Sequence, residues 1–335
     1  MRIALIGAGS WGTAVAGLAA KGADEVRVWA HEPAVAEGIN ARHQNPCYLT
    51  GYELPENVWA SPVISQALEG ADGVIFATPS AHLRATAREA ADWIGPDTPI
   101  LCLAKGIEAE TGLLMTEVIG EEVGHPERIA ALSGPNHAEE VCRGSLSAAV
   151  IAAEDAAVAE FFKAVLISPA FRVYVSHDVV GVEMCGAAKN VIAIICGIAA
   201  GTGLGDNTLA LIMTRGLAEI SRLTHARGGD PMTCMGLAGM GDLVATCTSE
   251  HSRNRMFGVA FAQGTTLEEY QERRHMVVEG AAAAVSVSAL ARALEVDAPL
   301  TFALEHTLWH AGSISEALER LTDRFPTSEF YGFDE

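Results

Sequence analysis

Ile3-Ala4-Leu5-Ile6 runs directly into Gly7-Ala8-Gly9-Ser10-Trp11-Gly12, and an alanine-rich stretch of helical character follows at 13–21. Gly-x-Gly-x-x-Gly alone says little in a chain with 33 glycines. Here it joins a strand pattern to a helix pattern, and a second strand pattern follows at 26–29. That order predicts a strand-loop-helix-strand unit. Gly7 allows the tight turn, Gly9 lets the backbone approach a pyrophosphate, and Gly12 lets the helix pack close to the strand. The free N–H groups and partial positive charge of the helix N-terminus then suit phosphate, so the loop predicts a dinucleotide site.

Up to about residue 180, short β-rich runs alternate with helical stretches. The expected strands are 3–6, 26–29, 74–77, 100–104, 129–132, 148–151 and 171–175. Such alternation predicts a mostly parallel α/β sheet, Rossmann-like and doubly wound, with ligands beyond the carboxyl ends of the strands. Polar or glycine-rich residues follow the strands as that rule requires: the glycine loop, His31-Glu32, Thr78-Pro79-Ser80, Lys105-Gly106 and Ser133-Gly134-Pro135-Asn136. Beyond 181 helical periodicity takes over, broken by glycine-rich turns at 201–205 and 236–241, with Asp206 as the expected N-cap of one helix. Two domains are therefore expected, 1–180 for the dinucleotide and an all-helical 181–335 for substrate and catalysis.

Half of the 335 residues are hydrophobic and 19% are charged, which suits a large buried interior. A formal net charge of −20 repels nucleic acid and anionic membrane surfaces, so an anionic substrate needs a few local cations to receive it. The N-terminus lacks the pattern of a signal peptide, and a cytoplasmic location is expected. The seven cysteines occur without a Cys-x-x-Cys pair and read as reduced, mostly buried thiols. The longest apolar run, 191–200, is about half a bilayer span, so no membrane insertion is expected. An apolar helical domain makes a homodimer plausible. His306 and His310 lie one turn apart without a glutamate motif, so no metal is expected.

Chemistry concentrates in a few places. Lys189 lies in an otherwise apolar helical stretch, where desolvation disfavours the ammonium and suits a proton donor working near neutrality. Lys105, after the fourth expected strand, faces the same crevice and would attract an anion. Asp242 follows a glycine turn and would counterbalance the lysines and orient Lys189. Ser252-Arg253-Asn254-Arg255 is a donor-rich cationic cluster in an acidic chain, and a guanidinium matches phosphate with two parallel hydrogen bonds. About twenty residues past the glycine loop, Glu32 stands where a carboxylate takes the ribose hydroxyls, while His31 offers a contact to a 2′-phosphate. The choice between NAD and NADP stays open.

Leu103-Ala104-Lys105-Gly106-Ile107-Glu108, Ser133-Gly134-Pro135-Asn136-His137-Ala138, Gly186-Ala187-Ala188-Lys189-Asn190 and Gly241-Asp242-Leu243 through Ser252-Arg253-Asn254-Arg255, taken with the glycine loop, resemble the bacterial-type NAD(P)-dependent glycerol-3-phosphate dehydrogenase family. The match covers nearly the whole chain in order. The resemblance implies reversible reduction of dihydroxyacetone phosphate to sn-glycerol 3-phosphate for glycerophospholipid synthesis, with Lys189 as acid/base and Lys105 and Asp242 beside it. It implies dinucleotide contacts from Ser10, Trp11, His31, Lys105, Ala138, Arg253, Val277 and Glu279. Substrate contacts fall to Lys105, Gly134, Asn136, Lys189, Asn190, Asp242, Thr246, Ser252, Arg253 and Asn254. Many relatives carry Thr-Phe at Asn136-His137 and lysine at Glu140, which puts substrate affinity in question.

β-Hydroxyacid and 6-phosphogluconate dehydrogenases share such a layout but separate their catalytic lysine and asparagine by several residues, unlike adjacent Lys189-Asn190. A non-catalytic nucleotide sensor would not need Lys105, Lys189, Asp242 and Arg253 together.

Overall fold

The computed structural model describes residues 1–274, 277–310, 312–317, 328–329 and 331–333. Most of the aromatic and acidic tail at 324–335 lies outside the described residues. The chain divides into two compact units, Met1–Lys105 with Leu113–Val179, and Gly106–Gly112 with Val180–Glu335.

The first unit alternates β1 (Arg2–Ile6), α1 (Ser10–Ala19), β2 (Glu25–Trp29), α2 (Pro33–Arg42), β3 (Val58–Ser61), α3 (Ile64–Leu68), β4 (Gly73–Phe76) and α4 (Ser80–Ala90). It continues through β5 (Ile100–Cys102), α5 (Met115–Val123), β6 (Ile129–Ser133), α6 (Ala138–Cys142), β7 (Ser147–Ala152), α7 (Ala156–Leu166) and β8 (Phe171–Ser176). The eight strands form one sheet in the order β3-β2-β1-β4-β5-β6-β7-β8, parallel except where β7 runs against β6. Strand order reverses direction beside β1, so the glycine loop leaves the sheet at its switch point.

Side chains alternate along β1 between two cores. Ile3 and Leu5 join a cluster with Val15, Leu18, Phe162 and Phe171, whereas Ala4 and Ile6 join Leu68, Phe76, Leu83 and Ile119 on the other face.

β3 was not among the expected strands. Val58-Trp59-Ala60-Ser61 is an edge strand of four residues, and Trp59 on it is exposed. Its outer edge is closed by a side chain: the Asn40 amide donates to the Ala60 carbonyl and accepts from the Ala60 N–H, both at 2.8 Å. β5 stops at Cys102, two residues before the expected end, which leaves Lys105 on the loop beyond it. α1 begins at Ser10 rather than residue 13, because extended Gly9 serves as its N-cap and Ser10, Trp11 and Gly12 form the first turn.

α4 and α5 are joined by Arg84 and Arg88, which both donate to Glu122 at 2.8–2.9 Å. Arg88, then Arg84, holds the Glu122 carboxyl down at about 2, against an ordinary value of 4.5. A depressed carboxylate stabilises fully above its unfolded value and loses that contribution as pH falls through the folded one. Exposure of Arg88 screens the pair, so the contribution is small. Glu122→Gln is therefore expected to flatten thermal stability between roughly pH 4.5 and 2, as measured by melting across that window.

The second unit has no strand among its described residues. Its helices are α8 (Val179–Gly201), α9 (Asp206–Ala226), α10 (Asp242–Thr248), α11 (Arg253–Ala262), α12 (Leu267–Arg274), α13 (Glu279–Ala293) and α14 (Pro299–Trp309). α8 has the length and hydropathy of a membrane-crossing helix, with 23 residues and mean hydropathy 1.7, yet 83% of its apolar window is buried inside the protein. α11 approaches α8 so closely that a Cβ on Gly258 would lie 2.2 Å from the Ile194 carbonyl oxygen. α14 is docked by Glu219 of α9, whose carboxylate accepts the N–H groups of Leu300 (2.6 Å) and Thr301 (3.2 Å).

Asp206 is not the N-cap expected of it. Gly205, with extended backbone, takes that position, and Asp206 is the first helical residue, where its charge still favours the helix start. Cys102, Cys185, Cys196, Cys234 and Cys247 are buried thiols, and Cys47 is exposed. The hydrogen bond with Cys196 and burial push the Cys247 thiol up, a poor setting for a nucleophile. His306 and His310, at the end of α14, stack at 6.1 Å, with His306 half-buried and His310 exposed.

Candidate active site

In the first unit the glycine loop is held by its neighbours on the sheet. Gly7 N–H donates to the Trp29 carbonyl at 3.0 Å, and Ala77 N–H donates to the Ile6 carbonyl at 2.8 Å. Gly7 has φ +113°, and a Cβ on Gly12 would sit 2.0 Å from the Gly7 carbonyl oxygen. These two glycines are therefore demanded by the fold. Gly9 is different: a Cβ there would meet no described atom within 4 Å. The space over Gly9 is open, room that a side chain would take up. Trp11, 6.5 Å from the Phe171 ring, has its Nε1 buried with no hydrogen-bond partner among the described residues.

The other strand ends carry their expected groups. His31 lies exposed beyond β2, edge-on to Trp29 at 5.8 Å, and Glu32 caps α2 and accepts from the Tyr48 hydroxyl at 3.4 Å. Lys105 is half-buried at the end of its segment of the first unit. Beyond β6, Gly134 has φ +148°, where a Cβ would strike the Ala148 carbonyl oxygen at 2.8 Å. Asn136 Nδ2 is buried without a partner among the described residues, so its N–H groups suit a ligand oxygen. Ala138 is buried at the start of α6.

In the second unit, Lys189 projects from the middle of α8 and is 7% exposed. Its Nζ donates to Asp242 Oδ1 and, at 2.8 Å, to Thr246 Oγ1. Asp242 and Thr246 sit one turn apart on α10, both buried, and the Thr246 hydroxyl donates to the Asp242 carbonyl at 2.6 Å. A π-turn at Leu237–Gly241 leads into α10 and aims the carboxylate at α8. A buried ammonium with a carboxylate and a hydroxyl around it holds its Nζ in one place, as proton transfer to a bound group requires.

Asn190, next on α8, is 5% exposed. Ser252 caps α11 by accepting from the Arg255 N–H at 3.3 Å, and Asn254 Oδ1 accepts from the Gly280 N–H at 2.9 Å. Arg253 stays exposed with its guanidinium 4.0 Å from the Glu279 carboxylate, and Val277 is exposed nearby in sequence. Hence the structure brings Lys189, Asp242 and Thr246 into one cluster, and Arg253, Asn254, Glu279 and Gly280 around the start of α11. Asn45, bonded to the Ala8 carbonyl of the glycine loop, and Tyr48, bonded to Glu32, were not among the expected site residues. An asparagine just after a helix, in a polar loop, is the faint signal they left.

A glycine loop at the switch point of a parallel sheet, followed in one chain by a helical unit built around a buried lysine, defines a nicotinamide-dinucleotide oxidoreductase of two-part construction. Residues 2–159 and 178–319 match the N-terminal and C-terminal parts of NAD-dependent glycerol-3-phosphate dehydrogenase. The glycerol-3-phosphate dehydrogenase [NAD(P)+] of Nocardia farcinica is 49% identical, covering 96% of this chain and 98% of its own. That of Corynebacterium aurimucosum is 45% identical, covering 98% and 99%. A crystal structure of glycerol-3-phosphate dehydrogenase from Coxiella burnetii superposes with a TM-score of 0.91 at 36% identity, covering 96% and 99%. The chain belongs to the NAD-dependent glycerol-3-phosphate dehydrogenase family.

Proposed function

We propose that the chain reduces dihydroxyacetone phosphate to sn-glycerol 3-phosphate, reversibly and with NADH or NADPH, and that Lys189 is its acid/base. The observation that carries the catalytic assignment is the buried Lys189 ammonium fixed by Asp242 and Thr246. A bound reduced nicotinamide supplies the hydride to the ketone carbon. The chain's own work is to bind, to orient and to provide a proton. Lys189 Nζ gives that proton to the carbonyl oxygen as negative charge develops there, and takes it back in the reverse direction. Asp242 and Thr246 keep Nζ in place and balance its charge. Asn190, a neutral amide next on α8, adds donors beside Lys189, and Lys105, Gly134 and Asn136 are read as further substrate contacts.

Arg253, Ser252 and Asn254 receive the substrate phosphate at the N-terminus of α11, where helix and guanidinium charge both favour an anion. Gly9 and the first turn of α1, with Ser10 and Trp11, would hold the pyrophosphate. Glu32 and His31 meet the adenosine ribose and support use of either dinucleotide. Ala138, Val277 and Glu279 border the cofactor. We assign residues 1–180 to the dinucleotide and 181–335 to substrate and catalysis, and we read the enzyme as cytoplasmic, not membrane-inserted, and a homodimer.

Oxidation of glycerol 3-phosphate by NAD+ and NADP+, run beside 3-hydroxy acids and 6-phosphogluconate, tests the reading. Turnover with glycerol 3-phosphate is expected, and turnover with a hydroxy acid alone would refute it. Arg253→Ala is expected to raise KM for dihydroxyacetone phosphate about 30-fold, from the loss of charge-assisted bonds worth about 2 kcal/mol, with kcat within a few-fold of the parent. Initial rates at saturating NADH check it.

A further inference from the structure

We propose that Asn45, in the loop after α2, is a positioning residue that aims the Gly9 N–H at the pyrophosphate; this rests on reading the glycine loop as the dinucleotide site. Residues 46–48 around it are exposed, yet Asn45 is 1% exposed. A buried side-chain amide in an open loop is costly unless its bonds are made. All of its bonding sides are engaged. Nδ2 donates to the Ala8 carbonyl and to Thr13 Oγ1, both at 2.8 Å. Oδ1 accepts the N–H groups of Cys47 and Tyr48 at 3.0 Å. Two acceptors on one side and two donors on the other fix the orientation of the amide.

The consequence lies in the Ala8–Gly9 peptide. In a planar trans peptide the C=O and the following N–H point in opposite directions. Asn45 draws the Ala8 oxygen inward, so the Gly9 N–H turns outward. Gly9 is also the position where an added Cβ meets open space. Thr13, on the second turn of α1, closes a triangle by donating to the same carbonyl at 3.3 Å. Tyr48, three residues further along the turn, reaches Glu32 with its hydroxyl at 3.4 Å. One short turn thereby braces both the phosphate end and the ribose end of the dinucleotide site.

NADH and NADPH titrations of the full-length protein, followed by nucleotide fluorescence without substrate, test the proposal. Asn45→Ala is expected to raise both dissociation constants about tenfold while kcat at saturating dinucleotide stays within twofold. Asn45→Asp, which fills the same volume but presents an acceptor to the Ala8 carbonyl, is expected to bind at least as weakly as Asn45→Ala. A filler role would instead be rescued by aspartate. Should Asn45→Ala not fold, isosteric Thr13→Val removes one corner of the triangle and is expected to weaken NADH about threefold. Parent-like affinity in every variant that folds, or a fall in kcat with affinity unchanged, would overturn the proposal. Failure of the parent itself to bind NADH would overturn the dinucleotide reading first.

Discussion

Replacing Lys189 with alanine is expected to lower kcat about a thousandfold while NADH affinity stays within a few-fold of the parent. The side chain holds the proposed proton at a fixed Nζ, bonded to Asp242 and Thr246. Nothing else in that cluster replaces the proton, since the Thr246 hydroxyl is turned to the Asp242 carbonyl. The glycine loop belongs to the other compact unit, so dinucleotide binding should survive. Stability should not. Removing one member of a buried pair leaves an uncompensated charge, at a cost of about 3–5 kcal/mol. Lys189→Ala combined with Asp242→Ala removes both charges and is expected to recover much of that stability without recovering turnover. Single-turnover rates alongside melting curves separate the two effects; near-parental kcat in Lys189→Ala would end the proton-donor assignment.

The second large effect concerns Gly12. Alanine there puts a Cβ 2.0 Å from the Gly7 carbonyl oxygen, far inside van der Waals contact. Backbone is the obstacle, so no rotamer change relieves it. Either α1 moves away from β1 or the loop opens, and both displace the N–H groups that face the phosphates. Overpacking of this kind costs about 1–3 kcal/mol, and NADH affinity is expected to fall at least 30-fold. Gly9→Ala provides the contrast: its Cβ meets no described atom, so the fold should keep its melting temperature while dinucleotide binding weakens. Equal NADH affinity in Gly12→Ala and parent would show that the loop does not hold the cofactor.

The glycine loop was legible because its physics is local. Strand, turn and helix start fall within twelve residues, and each glycine has a steric reason there. The strand at Ile3 to Ile6 was equally legible, though not the two cores that its side chains join. β3 was not, since a four-residue edge strand with exposed Trp59 depends on Asn40, 20 residues away, to finish its ladder. The N-cap at Gly205 was lost for a related reason: Asp206 has the stronger capping propensity, but the extended backbone of the glycine takes the position.

Lys189, Asp242 and Thr246 were named from a family resemblance together with the apolar setting of the lysine. Their contact spans 53 and 57 residues and follows from the packing of α8 against α10, which no periodicity reports. Asn45 left almost no trace, because an asparagine in a polar loop looks like any turn residue until its burial is seen.

The reaction proposed for this chain is reduction of a phosphorylated ketone. Initial rates of NADH and NADPH oxidation with dihydroxyacetone phosphate, set beside unphosphorylated dihydroxyacetone, test it most directly. Binding the phosphate through Arg253 and the start of α11 predicts kcat/KM at least about 100-fold higher for the phosphorylated ketone, from charge-assisted bonds worth about 3 kcal/mol. Equal rates with the two ketones, or no oxidation of either dinucleotide, would contradict it.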